Sequence, residues 1–331
     1  MTNKKKIKIK FLKSVLTADR QEFIDILNEG YDWESSDNPD YVVYSDYDYE
    51  HLDYDCVRIF YTGECYTPNF NECDYAVGFD RLKLGDRYMR IPLYNLFQYR
   101  DNYKSLKNRL PFTQKELSKK TGFCNFVVSN CFATDVRSIF FDKLNLYKRV
   151  DSGGRYKNNI GGTVGDKMAF QKNYKFSIAF ENCSYPGYCT EKIMEAFAAR
   201  TIPIYYGDPE VAKDFNPKAF INAHDYDSLD AVVARVKEID ENDVLYLAMI
   251  NEPIIQADAE VGSLETFLKY ILDQDIAKAY RRSFSRTPAF YEGMQKRHRF
   301  FEMYIYRYYQ KVKNQITRLK TGTLLSSKDI V

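Results

Sequence analysis

Short β-branched and aromatic runs recur along the chain, each closed by polar or glycine-containing punctuation. Ile7–Leu12, Asp40–Tyr44, Val57–Tyr61 and Tyr75–Phe79 read as strands, and Asp19–Asn28 has helical spacing that runs out at Gly30. Residues 99–122 are basic and polar and bridge to a second series. There, Asn125–Ser129 predicts a strand and the stretch from about Thr134 to Leu146 a helix. After a glycine-rich loop at Gly153–Gly165 come the strand Lys175–Phe180, a helix after Thr190, and the strand Ile202–Tyr206 closed by Gly207. Strand and helix signals that alternate in this way predict α/β domains with parallel sheets. The expected organisation is one α/β domain over residues 1–120, a second over 121–290, and a basic amphipathic tail over 291–331. Two such domains joined by a linker put a ligand site in the cleft between them.

Length and composition agree with that reading. A chain of 331 residues is long for a single core. A net charge of +2 offers no global basic field, which argues against nucleic acid as partner. No run of about 18 apolar residues is present to span a membrane. The opening MTNKKKIKIKFL has no apolar stretch of signal-peptide length, so a cytoplasmic protein is expected. Seven cysteines without a C-x-x-C pair read as reduced structural thiols, and three histidines leave little for a metal site.

The densest chemistry sits in FENCSYPGYCTEKIMEAFAAR, residues 180–200. Thr190 is a competent N-cap, with Glu191 and Lys192 in the first helical turn. The N–H groups and dipole of a helix start favour an anion, and Lys192 adds a full positive charge. Glu191 suits sugar hydroxyls such as those of ribose, and Tyr188 offers a ring face and a hydroxyl. The stretch reads as a nucleotide site. A second strand-to-helix junction repeats the pattern at NFVVSNCFATDVR, where Thr134 or Asp135 caps and Arg137 lies in the first turn. Arg137 and Lys192 would converge on one diphosphate; the alternative for Arg137 is a surface pair with Asp135 or Asp142. Four D-x-D patterns, Asp46/Asp48, Asp53/Asp55, Asp225/Asp227 and Asp273/Asp275, are what 46 acidic residues produce by chance, and no metal or other cofactor is expected.

FENCSYPGYCTEKIMEAF followed by IPIYYGDPEVAKDFNPKAFINAHDY resembles the signature region of the bacterial α1,3-fucosyltransferases, and FYTGECYTPNFNECDYAVGFDR followed by DRYMRIPLYN resembles their N-terminal half. The similarity covers roughly residues 57–97 and 125–250 in the family's order. The resemblance implies a GT-B architecture of two Rossmann-like domains, with GDP-fucose on the C-terminal domain and an oligosaccharide acceptor of the LacNAc or lactose type on the N-terminal one. It implies Arg137 and Lys192 as diphosphate ligands, Glu191 as the ribose contact, Tyr188 and Asn182 as further donor contacts, and Glu64 as catalytic base. The chemistry alone also asks for a carboxylate base beside the cleft; Glu64 follows the strand signal VRIFYTG, with Glu72 and Asp74 as reserves. Rival readings are a GT-B transferase with another nucleotide sugar or linkage, and a non-catalytic glycan- or nucleotide-binding relative.

Residues 1–56 and 251–331 resemble the family only loosely, and its heptad repeats are missing. The stretch Arg297–Lys320 carries seven Lys/Arg against one Glu, and Phe301, Ile305, Tyr308, Val312, Ile316 and Leu319 form an apolar stripe at helical intervals. That helix either packs its stripe on the protein or lies peripherally on an anionic membrane face.

Overall fold

A computed structural model gives the structure of residues 4–46, 49–96, 99–106, 109–129, 135–257, 259–283, 286–306, 308–309 and 311–313. The first sheet contains β1 (Lys5–Phe11), β2 (Tyr31–Ser35), β3 (Tyr41–Tyr44), β4 (Val57–Tyr61), β5 (Tyr75–Gly78) and β6 (Tyr88–Arg90), in the order β2-β1-β3-β4-β5-β6. The second contains β7 (Gly122–Phe126), β8 (Val150–Ser152), β9 (Tyr174–Phe180), β10 (Ile202–Tyr206) and β11 (Ile221–Asn222), in the order β11-β10-β9-β7-β8. Every pairing is parallel, with Tyr44 opposite Phe60 in the first sheet and Tyr206 opposite Phe180 in the second. In each sheet the chain first turns one way and then the other. The carboxyl ends of β1 and β3, and of β7 and β9, therefore open a crevice of the kind that receives ligands in doubly wound folds.

Helices cover the sheets: α1 (Thr17–Gly30), α2 (Arg100–Ser105), α3 (Gln114–Leu117), α4 (Asp135–Tyr147), α5 (Lys167–Gln171), α6 (Glu191–Ala198), α7 (Leu229–Asp240), α8 (Asp243–Ile250), α9 (Leu264–Asp273), α10 (Ile276–Ala279) and α11 (Arg286–Phe301). The four-residue strand runs are buried throughout, as strands covered on both faces must be. The edge strands β2, β6, β8 and β11 have two to five residues and show no clear period in the sequence.

Two expectations change. The strand placed at Asn125–Ser129 runs instead from Gly122 to Phe126. Beyond Phe126 the chain is met by the glycine loop: Gly153 N–H donates to the Phe126 carbonyl at 2.9 Å and Tyr156 N–H to that of Val128 at 3.0 Å. A Cβ on Gly154 would come within 2.0 Å of the Val128 carbonyl oxygen, so only glycine allows this approach. The expected cap Thr134 lies outside the described residues.

The second difference is the domain boundary at residue 290. Leu264, Phe267, Leu268, Ile271 and Leu272 of α9 are buried with Ile7, Ile59, Tyr75 and Ile91 in the core of the first domain. Helix α9 has the right pattern for this, a stripe at intervals of three and four behind the Ser263 cap. An amphipathic stripe does not say which sheet it will cover, and here the chain crosses back. Arg282 then ends the crossing by pairing with Asp74 at 3.5 Å, both side chains being buried.

Helix α11 continues along the first domain. Glu292 pairs with the buried Arg58 through two contacts of 3.2 and 3.3 Å, and Arg299 with Asp53 at 2.6 Å. The apolar stripe beyond is not packed on the protein: Phe301, Ile305, Tyr308 and Val312 are exposed, while Ile316 and Leu319 lie outside the described residues. Among the described residues no helix is long and apolar enough to cross a membrane.

The domains are joined by charge as well as by chain. Asp214, buried in the second domain, receives Arg90 of the first at 2.6 and 3.1 Å and Arg81 at 3.0 and 3.3 Å. Removing one member of a buried pair strands its partner, typically at about 3–5 kcal/mol. Asp214→Ala should therefore lower stability by about that amount in thermal or urea unfolding. A loss within the range of an exposed ion pair would show that the network does not hold the domains together.

Candidate active site

A cavity of about 570 Å³ lies between the two crevices. Its first wall comes from the loops after β1, β3 and β4, which contribute Ser14, Asp19, Ser45, Asp46 and Glu64. Its second wall comes from the loop after β9 and the start of α6, with Asn182, Tyr188, Thr190, Glu191 and Lys192. Residues far apart in sequence meet here because each follows the carboxyl end of a parallel strand.

The second wall is organised by Glu181, the residue directly after β9 and fully buried. Its carboxylate accepts the Thr190 N–H at 2.7 Å, the Thr190 hydroxyl at 2.7 and 2.8 Å, and the Lys192 ammonium at 2.8 Å. Thr190 thus caps α6 by position, but its hydroxyl serves Glu181 rather than the helix. An anion does sit at this helix start, and the protein supplies it. Burial pushes the Glu181 carboxyl up, against the pull of Lys192. Burial would likewise lower the Lys192 ammonium, but Glu181 and Glu191 outweigh it and hold the group charged. Burial also works against the Glu191 carboxylate, yet Lys192 and Lys167 keep it below the usual range. Lys192 has three N–H donors, and with Glu181 and Thr190 taking two, one remains for the cavity.

Arg137 stands behind this wall rather than in it. It is 2% exposed, and its Nη1 donates to Asn182 Oδ1 at 3.2 Å. The alternative partner Asp142 is occupied by Lys157 at 2.5 Å. Asn182, which does line the cavity, therefore links Arg137 to it.

Glu64 is on the opposite wall, and the Tyr188 hydroxyl reaches across to its Oε2 at 3.5 Å. Tyr188 is held from both domains: its ring meets Phe79 edge-on at 5.1 Å, and Gly187 N–H donates to Asp208 at 2.7 Å. Asp208 in turn pairs with Arg81 of the first domain at 3.1 Å. Gly187 has φ +86°, and a Cβ there would stand 2.8 Å from the Phe79 carbonyl oxygen, so the turn requires glycine. Next to Glu64, burial first and then the nearby Cys183, the neighbour of Asn182, push the Cys65 thiol up. All six described cysteines are free thiols, and Cys131 lies outside the described residues.

The reserve bases are taken by the fold. Asp74 is fully buried and accepts the N–H groups of Arg58, Arg281 and Arg282, each at 2.8 Å. Glu72 is bonded to His51 at 3.2 Å and Asn69 at 2.8 Å. Of the D-x-D residues, Asp53 pairs with Arg299, Asp225 with Asn222, Asp273 with Tyr31, and Asp275 caps α10. Asp46 alone of these lines the cavity, while its partner Asp48 lies outside the described residues. Sequence reasoning gave Glu181 and Asp208 no role and set Asp46 aside as a chance D-x-D match. Glu181 carried a signal, being the first polar residue after an apolar strand, and Asp46 carried that pattern; Asp208 carried none.

Two doubly wound domains that turn their crevices to one shared cleft are the GT-B architecture. Residues 9–97 match the alpha-(1,3)-fucosyltransferase FucT N-terminal domain, and residues 117–251 match the C-terminal domain of glycosyltransferase family 10, the fucosyltransferases. A crystal structure of an α1,3-fucosyltransferase is 32% identical and superposes with a TM-score of 0.70, covering 85% of this chain and 94% of that one. A complex of an α1,3-fucosyltransferase with GDP-fucose superposes at 0.67 with 32% identity, over 83% and 93% of the two chains. The chain belongs to this fucosyltransferase family. It is 38% identical over 255 residues to the alpha-(1,3)-fucosyltransferase FucT of Helicobacter pylori, 66% of this chain and 53% of the relative, and so spans about half that relative's length. The human 4-galactosyl-N-acetylglucosaminide 3-alpha-L-fucosyltransferase 9 is 31% identical over 145 residues, 43% of this chain and 39% of that protein.

Proposed function

We propose that the protein is an inverting α1,3-fucosyltransferase. It moves L-fucose from GDP-fucose to the 3-hydroxyl of GlcNAc in a Galβ1,4GlcNAc-type acceptor, or of glucose in lactose. The supporting observation is the single cavity with Glu64 on one wall and Asn182, Tyr188, Glu191 and Lys192 on the other. In this reading the acceptor oxygen attacks C1 of fucose from the side of Glu64, which takes the hydroxyl proton. The bond from C1 to the diphosphate oxygen breaks with its electron pair on GDP. Charge developing there is met by Lys192 directly and by Arg137 from behind Asn182, so no metal is needed. Glu191 holds the ribose, and Tyr188 keeps Glu64 in register with the donor.

Glu64→Ala or Glu64→Gln, assayed with excess EDTA present, should lower kcat by about 10²–10⁴ while GDP-fucose affinity stays unchanged. Near-normal turnover would reject Glu64 as base, and loss of wild-type activity in EDTA restored by Mn²⁺ would reject metal independence. Lys192→Ala should weaken GDP binding by about 1.5–3 kcal/mol, the worth of a hydrogen bond to a charged group, and Arg137→Ala, whose guanidinium reaches the cavity through Asn182, should weaken it by less. Guanosine, which lacks the diphosphate, should lose much less. Equal losses for both ligands would mean that the two cations serve the fold or the base.

We further propose a cytoplasmic enzyme whose tail rests on an anionic membrane face. Exposed Phe301, Tyr304, Ile305, Tyr308, Tyr309 and Val312 accompany Lys311 and Lys313, and anionic lipid contributes about 1 kcal/mol per basic residue near the surface. The cut that tests this belongs after Phe301, because a shorter chain would lose Glu292 from Arg58. The full chain should sediment with anionic liposomes in low salt and the cut chain should not. Equal binding by both, or by neither, would refute the tail as anchor.

A further inference from the structure

We propose that Asp46 is a positioning residue for Glu64, acting through the hydroxyl of Thr62. The proposal rests on the reading of Glu64 as base.

Strands β3 and β4 are neighbours, so the residues just beyond them are brought side by side. Thr62 follows β4 directly and is buried; Asp46 lies two residues past β3. Thr62 Oγ1 is 3.0 Å from Asp46 Oδ2, 3.0 Å from Glu64 N and 3.1 Å from the Glu64 carbonyl oxygen. The hydroxyl has a single proton and two possible acceptors for it. A carboxylate is a stronger acceptor than a carbonyl, so an ionised Asp46 takes the proton. The Thr62 lone pairs are then turned to the Glu64 N–H, and the backbone that carries the candidate base is held in one orientation. Removing the carboxylate lets the proton swing to the Glu64 carbonyl.

Asp46 Oδ1 is buried with no partner among the described residues. Burial pushes this carboxyl up to about 6; the Thr62 hydroxyl opposes the shift, and the charge of Glu64 adds to it. The other ionisable groups facing it are Asp19 from the start of α1, held by Tyr61, and Glu191 and Lys192 from the opposite wall. On its far side lies a small cavity walled by Tyr49, Tyr66 and the His51–Glu72 pair. Above about 6 Asp46 is ionised and orders Thr62; below it, the neutral carboxyl is a weaker acceptor and the hold on Glu64 loosens. The sign for stability is opposite. A carboxyl raised above its ordinary value is penalised when ionised, so replacing its charge at neutral pH should not destabilise the fold.

Asp46→Ala and Thr62→Val should each lower kcat by about ten- to a hundredfold, the scale of a small misplacement. KM for GDP-fucose should not change. The double variant should be no slower than either single one, because both cut the same link. Thr62→Ser should restore activity. Asp46→Asn, whose amide oxygen still accepts, should lose less than Asp46→Ala and should lack the inflection in kcat expected of the wild type near pH 6. GDP binding by calorimetry checks that each variant is folded, and if Asp46→Ala is not, Asp46→Asn and the Thr62 pair carry the test. Additive losses, or an unchanged inflection in Asp46→Asn, overturn the proposal. An inactive Glu64→Gln beside an unaffected Asp46→Ala would overturn it alone, whereas an active Glu64→Gln would remove the reading of Glu64.

Discussion

The cleft depends on burying acids of one domain against arginines of the other. Asp214 and Asp208 lie in the second domain with almost no exposure, and among the described residues Arg90 and Arg81 of the first domain pair with them. Charges removed from water are costly unless they are paired and fully hydrogen-bonded, so the domains cannot part here without leaving buried ions behind. From Asp208 the constraint passes to Gly187, then to Tyr188, and so back to Glu64 on the first domain. The register between the two walls is therefore set by one continuous set of contacts. The linker contributes packing as well, since Tyr99 and Tyr103 lie against the buried cluster that includes Ile193, Met194 and Phe197 of α6.

A second buried acid organises the donor side. Glu181 draws Thr190 and Lys192 onto itself and gives the start of α6 an internal anion. With Glu191 beside them, two carboxylates flank Lys192 at the edge of the cavity, at 2.8 and 3.6 Å. That arrangement favours a ligand with both an anionic part and hydroxyls. A nucleoside diphosphate sugar has both, which a bare phosphate lacks. Arg137 adds charge from a buried position behind Asn182, where water does not screen it.

The opposite wall has another character. Asp19, Asp46 and Glu64 bring three carboxyl groups to one face of the cavity, and burial raises the first two. Such a surface repels a diphosphate and accepts hydroxyl donors. In the proposed function the two walls sort donor from acceptor by charge, and the hydrogen-bonded segment around Thr62 is what would hold Glu64 in place.

Much of this was readable in the residues alone. The apolar runs of β4, β9 and β10 mark buried parallel strands; Glu64 stands three residues past β4, and Glu191 and Lys192 open the helix that follows the loop after β9. Short strands such as β6 and β11 carry too few residues for a period, and β7 was displaced because its end is met by glycines rather than by another strand. The amphipathic stripe of α9 was present in the sequence, but a stripe states only that one face is buried. The crossing back to the first domain was decided by which sheet still lacked cover. The roles of Asp46, Asp208 and Asp214 were invisible for a related reason. An aspartate's meaning depends on what stands within about 3 Å of it, and that is set by contacts between residues more than a hundred positions apart in the case of Arg81 and Asp214. Local pattern determined the elements and the residues at their ends; long-range burial of charge determined how those ends face one another.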